Sequence, residues 1–108
     1  MKRVLIRSGN GWALYFPKDI LRLLDINPVE DRFNLTILDN VLEIRKKISN
    51  GGNPLYQPKR LFKRSSGYAM YMPMTILELL NINPEEKDEA EYSVNGDVLR
   101  IKKAKKQL

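Results

Sequence analysis

Residues 9–30 read GNGWALYFPKDILRLLDINPVE, and residues 65–86 read SSGYAMYMPMTILELLNINPEE. With a shift of 56 positions, Gly11, Ala13, Tyr15, Pro17, Ile20 and Leu21 recur as Gly67, Ala69, Tyr71, Pro73, Ile76 and Leu77. The match continues from Leu23, Leu24, Ile26, Asn27, Pro28 and Glu30 to Leu79, Leu80, Ile82, Asn83, Pro84 and Glu86. An internal repeat sets the architecture before any other feature is read. Units of roughly 45 residues bury too little surface to be stable alone, so the copies are expected to share one core. The chain reads as a dimer written into one polypeptide.

Working outward, each copy predicts strand, strand, short helix, strand, strand. Arg3 to Ser8 is expected as one first strand, followed by a turn at Gly9-Asn10-Gly11 in which Gly11 and Gly67 supply turn geometry. Trp12 to Phe16 is an apolar second strand stopped by Pro17. Ile20, Leu21, Leu23 and Leu24 fall on one helical face. Asp19 is placed to cap that helix, and its counterpart Thr75 stands three residues before Glu78 as a capping box. Asn27-Pro28 is expected to end the helical stretch. Phe33, Leu35 and Ile37 alternate with polar residues, Asp39-Asn40 predicts a tight turn, and Leu42 and Ile44 alternate again. In the second copy the alternation falls on Ala90, Tyr92 and Val94, which requires a shift of 57. One extra residue therefore lies within Glu85 to Glu89, because a slip of one would turn every strand side chain to the wrong face. The repeats span 1–47 and 60–108. Residues 48–59, ISNGGNPLYQPK, read as a connector, and KKAKKQL as a short basic tail without a hydrophobic anchor.

The full chain of 108 residues is 43% hydrophobic and carries a net charge of +6. It has no cysteine and no histidine. The first removes disulfides and thiolate chemistry, and the second removes the commonest general base and metal ligand. Ser8, Ser65 and Ser66 have no histidine to activate them. The pairs Glu30-Asp31 and Glu85-Glu86 lack calcium-loop spacing. No enzyme activity, metal or cofactor is expected. No apolar run approaches the ~20 residues of a membrane span, and no signal-peptide segment is read. The expectation is a cytoplasmic protein with a polyanionic partner.

The runs RSGNGWALYFPKDILRLLDINP and LTILDNVLEIRKK, repeated as KRSSGYAMYMPMTILELLNINP and SVNGDVLRIKK, resemble the SpoVT/AbrB superfamily, to which MazE-type antitoxins belong. The resemblance covers most of the chain outside the linker and tail. It implies a mainly β fold with short helices: a swapped-hairpin, AbrB-like β-barrel formed here as a single-chain pseudo-dimer of two β-β-α-β-β repeats. Association of further barrels is left open. It also implies double-stranded DNA as partner, with a role in transcription regulation. Arg7 and Lys63 match a basic first-strand position associated in the family with DNA contact.

The residues themselves point the same way. Arg3, Leu5 and Arg7 are expected on one strand face, as are Lys59, Leu61 and Lys63. Paired basic strands about a pseudo-twofold axis suit a near-palindromic duplex. The candidate DNA-binding residues are Arg3, Arg7, Lys18, Arg22, Lys59, Arg60, Lys63 and Arg64, mainly on phosphates, with arginine able to read guanine. The alternative is a solvated strand edge on which lysine discourages aggregation. Trp12 and Tyr68 are candidate rim aromatics, read first as packing and second as stacking on DNA. Lys18 and Arg22 face Met74 and Glu78 in the second copy, so DNA contact is expected to be asymmetric, with copy one contributing more near its helix.

Two other functions compete. An antitoxin would wrap a toxin protein with an extended, partly hydrophobic segment. Only a few basic residues are expected after the last strand, which ranks that reading second. A protein-interaction module without DNA binding is the third.

Overall fold

The alternating segments form two antiparallel sheets, and every sheet contains strands of both repeats. The computed structural model describes residues 1–47 and 59–105. The first repeat contributes β1 (Lys2–Val4), β2 (Ile6–Ser8), β3 (Gly11–Phe16), α1 (Lys18–Leu23), β4 (Phe33–Leu38) and β5 (Val41–Lys46). The second contributes β6 (Phe62–Arg64), β7 (Gly67–Met72), α2 (Met74–Leu79), a 3-10 turn (Pro84–Glu86), β8 (Glu89–Asn95) and β9 (Val98–Lys103). The fold is mainly β with two short helices, and its sheet curls into a half-barrel. The larger sheet has the order β1-β8-β9-β5-β4 and the smaller β2-β3-β7-β6.

The register is set by the repeat. Leu14 in β3 lies opposite Met70 in β7, its own counterpart. Glu43 in β5 lies opposite Arg100 in β9, again its counterpart once the one-residue insertion is counted. The outer strands exchange in the same sense. Arg3 in β1 pairs with Ala90 in β8, and the matching Lys59 forms a bridge with Phe33. That bridge has Phe33 and Lys59 each donating its amide to the other's carbonyl at 2.9 Å. Lys59, read from sequence as the last linker residue, thus belongs to the ladder, while the remainder of the linker (48–58) and residues 106–108 lie outside the described residues.

One hydrophobic cluster joins the two halves. Phe16, Ile20, Phe33, Leu42 and Ile44 of the first repeat pack with Met72, Leu77, Leu80, Leu99 and Ile101 of the second. Phe16 and Phe33 tilt against each other with ring centroids 6.1 Å apart. The cluster contains pairs of matched positions, such as Leu24 with Leu80 and Ile26 with Ile82. Most of the repeated apolar positions lie in it, but Leu23 and Leu79, expected on the same helical face as Ile20 and Leu24, are 68% and 56% exposed, because each six-residue helix buries only one narrow side.

Local structure departs from the sequence reading at several points. The first strand is not continuous. It divides at Leu5 into β1 and β2, which join different sheets. Leu5 is buried while Arg3 and Arg7 are exposed, and Leu61 is buried while Lys63 is exposed, so neither Arg3, Leu5 and Arg7 nor Lys59, Leu61 and Lys63 share one face. The bend is needed because one strand has to pair with β8 and then with β3. Neither Asp19 nor Thr75 caps a helix. Pro17 and Pro73 hold the N-cap positions without any side-chain bond, and proline suits a helix start because its φ is already set.

Asn27-Pro28 does not end α1 either. Asp25 and Asn81 turn into the left-handed region (φ 52° and 59°), and Ile26 and Ile82 donate their amides back to Leu21 and Leu77 at 2.8 and 2.9 Å. With Asp25 donating to Arg22 and Asn81 to Glu78, this is a Schellman ending. The inserted residue is Lys87, which takes φ 60° and lets Asp88 occupy the place of Asp31. Asp39 and Asn40 both adopt positive φ in the two-residue turn between β4 and β5, as a primed hairpin turn requires. The basic tail begins later than expected, since Lys102 and Lys103 belong to β9 and Ala104 is buried.

Candidate nucleic-acid interface

Cations divide into two populations according to where they sit. On the five-stranded sheet, Arg45 and Arg100 both hold Glu43, at 3.0 and 2.9 Å, and Lys102 lies 3.6 Å from Glu91. At the ends of β5 and β9, Lys46 faces Asp31 at 3.9 Å and Lys103 faces Asp88 at 3.5 Å. Among the described residues, none of Arg3, Arg7, Lys18, Arg22, Lys59, Arg60, Lys63 and Arg64 has a carboxylate within ion-pair distance. All of these except the half-buried Lys59 are exposed. The positive field of the molecule is therefore neutralised on the β5 and β9 strands and left open on the first strands and α1.

The four-stranded sheet positions these free cations. Arg7 in β2 lies opposite Trp12 in β3, and its guanidinium carbon stands 5.1 Å from the ring centroid. The matching residues Lys63 and Tyr68 are also directly opposite. Trp12 and Tyr68 are half-buried and pack against the core, so their first job is to support the sheet rim. An arginine stacked on an aromatic face keeps its in-plane donors available.

Tyr15 supports a second arginine. The Arg3 guanidinium carbon lies 4.7 Å from the Tyr15 ring centroid, and the Tyr92 hydroxyl donates to the Tyr15 carbonyl at 2.7 Å. Burial holds the Tyr92 hydroxyl protonated far above the usual tyrosine range, against a smaller opposing pull from the Arg3 charge. Tyr15 also explains a glycine. Its ring occupies the space where a Cβ on Gly67 would stand, and Tyr71 fills the same space at Gly11. Neither glycine has positive φ, whereas Gly9 does (φ 58°). Gly11 and Gly67 thus serve close approach of an aromatic ring from the other repeat rather than turn geometry.

Register also decides which cations are neighbours. Phe16 lies opposite Tyr68, so the chain enters α1 at the end of the sheet where the Ser65-Ser66 turn sits. Lys18 and Arg22 of the first repeat therefore follow the end of β3 that lies against the start of β7. At the other end Trp12 lies opposite Met72, which sets Arg7 beside the helix bearing Met74 and Glu78. The two helices differ in charge, α1 carrying Lys18 and Arg22 where α2 carries Met74 and Glu78. Arg60 sits between the Lys59 bridge and buried Leu61, apart from this sheet.

Sequence reasoning missed Lys2, Tyr15 and Ser65. They line, with Arg3 and Arg64, an open depression of about 620 Å³ that spans both repeats. Arg64 crosses to donate to the Arg7 carbonyl at 3.0 Å. The signal available in the sequence was the tyrosine shared at 15 and 71, whose outward position is clear only once β3 is paired with β7. Among the described residues, no cluster of His, Cys, Asp or Glu could hold a metal ion, and no helix is long and apolar enough to cross a membrane.

No family model, curated protein or solved structure matches the chain.

Proposed function

We propose that this protein binds double-stranded DNA as a transcriptional regulator, built as a single-chain pseudo-dimer of the swapped-hairpin, SpoVT/AbrB-like kind. The observation that carries the reading is the partition of cations. Those on β5 and β9 are matched by carboxylates, while among the described residues the first-strand and α1 cations are not. Unmatched cations held on aromatic supports are suited to neutralising phosphates, which supplies affinity and a strong salt dependence. The exchange of outer strands, Arg3 to Ala90 and Lys59 to Phe33, supports the swapped arrangement. Arg7 and Lys63 are the central contacts, Arg3, Lys59 and Arg64 extend them along the backbone, and Lys18 and Arg22 widen one end.

A fluorescence-anisotropy titration on random and selected duplexes over a range of salt tests this reading. Arg7→Ala combined with Lys63→Ala should weaken binding to all sequences. It should also flatten the plot of log K against log salt by about 0.9 for each phosphate no longer neutralised. Unchanged affinity and slope in that double variant would sink it.

A further inference from the structure

Of the residues that line the depression, Tyr15 and the charge of Arg3 recur in the other half as Tyr71 and Lys59, whereas Lys2, Arg64, Ser65 and Glu89 do not. Shifting back and forth by the repeat, Arg64 becomes Ser8, Ser65 becomes Gly9, Lys2 becomes Pro58 and Arg3 becomes Lys59. Glu89 becomes Arg32, but that guanidinium is turned onto its own loop, donating to the Glu30 carbonyl at 3.0 Å. The depression thus holds Lys2, Arg3 and Arg64 with Glu89, and the matching positions hold Lys59 and Arg32; the formal charge is the same, and the contrast lies in placement, with Arg64 lining the depression where the other half has Ser8, and Arg32 directed at its own loop.

Its two arginines are held in place without being neutralised. The Arg3 guanidinium carbon lies over the Tyr15 ring, 4.7 Å from its centroid, a cation–π contact that consumes none of its hydrogen-bond donors. Arg64 spends one donor on the Arg7 carbonyl at 3.0 Å, and a guanidinium has five. Neither is ion-paired among the described residues. Planar donors fixed in this way match the tetrahedral oxygens of phosphate. Glu89 is the one acid in the lining and disfavours a second anion beside the first.

Resting on the DNA reading above, we infer that this depression is a one-sided clamp for a backbone phosphodiester, so that the chain docks on DNA in a single polarity. A homodimer of identical repeats would carry two such clamps and accept either orientation. Here only one half grips the backbone in this way, and an asymmetric site is the matching partner.

The test compares duplex binding of the wild type with Arg64→Ser, which installs the residue of the matching position, and with Arg3→Ala. Lys102→Ser, on the carboxylate-matched face, is the control. The clamp predicts a loss of affinity on the order of tenfold for the combined Arg3 and Arg64 variant, with a shallower salt slope, and no change for the control. Polarity is read by hydroxyl-radical cleavage from an iron chelate on Glu86→Cys, which is a unique label because the chain has no cysteine. Cuts confined to one side of a selected site support the inference, and equal cutting on both sides overturns it. Wild-type affinity in the Arg3 and Arg64 variant, with weakened binding in the Arg7 and Lys63 variant, overturns the clamp while leaving DNA binding intact. Saturation of the depression by inorganic phosphate without displacement of duplex also overturns it, in favour of a small free anion. Absence of any duplex binding at low salt overturns both readings together.

Discussion

Arg100 Nε donates to Glu43 Oε2 at 2.9 Å, and these two residues occupy the same position of the repeat. They face each other because β5 and β9 cross at equivalent positions. In a dimer of identical chains this place would hold two glutamates or two arginines, directly opposed and mutually repulsive. One continuous chain allows the two copies to differ there, and the difference has become an ion pair. Arg45 adds a second contact to the same carboxylate at 3.0 Å. Duplication followed by divergence at the meeting point accounts for a core that matches closely and a surface that does not.

Acid should attack this contact first. Partial desolvation of Glu43 raises its pKa, but the hydrogen bonds and charges of Arg45 and Arg100 together outweigh that effect and hold it below the ordinary carboxylate value. A depressed folded pKa means that the contribution to stability is complete above the unfolded value, near about 4.3, and is lost as pH falls through the folded value. Thermal unfolding followed between neutral pH and pH ~3 should show a steeper acid decline in wild type than in Glu43→Gln. Equal declines would remove Glu43 as a source of acid sensitivity.

The halves should also choose each other. Peptides 1–47 and 59–108, made separately, are each too small to bury a core and should show little β structure alone at micromolar concentration. Mixed, they should assemble one-to-one, because β3 with β7, β5 with β9 and β1 with β8 are all ladders between repeats. Native mass spectrometry of the mixture should show the heterodimer in excess over either homodimer, since only the former pairs Glu43 with Arg100. Arg100→Glu should erase that preference.

Glycine substitutions separate space from turn geometry. Ala at Gly67 meets the Tyr15 ring, which is half-buried and covered by the Arg3 guanidinium. Ala at Gly11 meets Tyr71, which is 48% exposed and free to swing outward. Gly67→Ala should cost about 1–3 kcal/mol and Gly11→Ala less than about 1 kcal/mol by chemical denaturation. Adding Tyr15→Ala to Gly67→Ala should recover part of the loss, a coupling that a turn-geometry role would not produce.

The elements and the insertion were legible in the chain because alternation and repetition survive local noise. Leu35, Ile37, Leu42 and Ile44 alone place β4 and β5 on one buried face. What sequence could not give was partnership across the repeats. Leu5 looks like a mid-strand residue until β1 is seen to pair with β8 and β2 with β3. Gly11 looks like turn glycine because it follows Gly9-Asn10, and only the ring of Tyr71, reaching over from the other repeat, reveals its other use. The same holds for the candidate interface. Its basic residues were visible as types, but their freedom from carboxylates is a property of spatial neighbours.

The matched loops after the helices give the last test. Asp31 accepts from the Asn27 amide at 2.8 Å and faces Lys46, while Asp88 accepts from the Asn83 amide at 2.9 Å and faces Lys103. Asp88 is only 5% exposed, whereas Asp31 is half-buried. Removing a carboxylate strands its amide and cation, and the penalty grows as water is excluded. Asp88→Ala should therefore cost about 2–3 kcal/mol, and Asp31→Ala about 1 kcal/mol or less. Because Lys87 holds left-handed φ beside Asp88, Lys87→Gly should be tolerated and should stabilise slightly, relieving the strain that the inserted residue introduces. Urea unfolding of the three variants decides the order, and an Asp31 variant less stable than the Asp88 variant would contradict the burial argument.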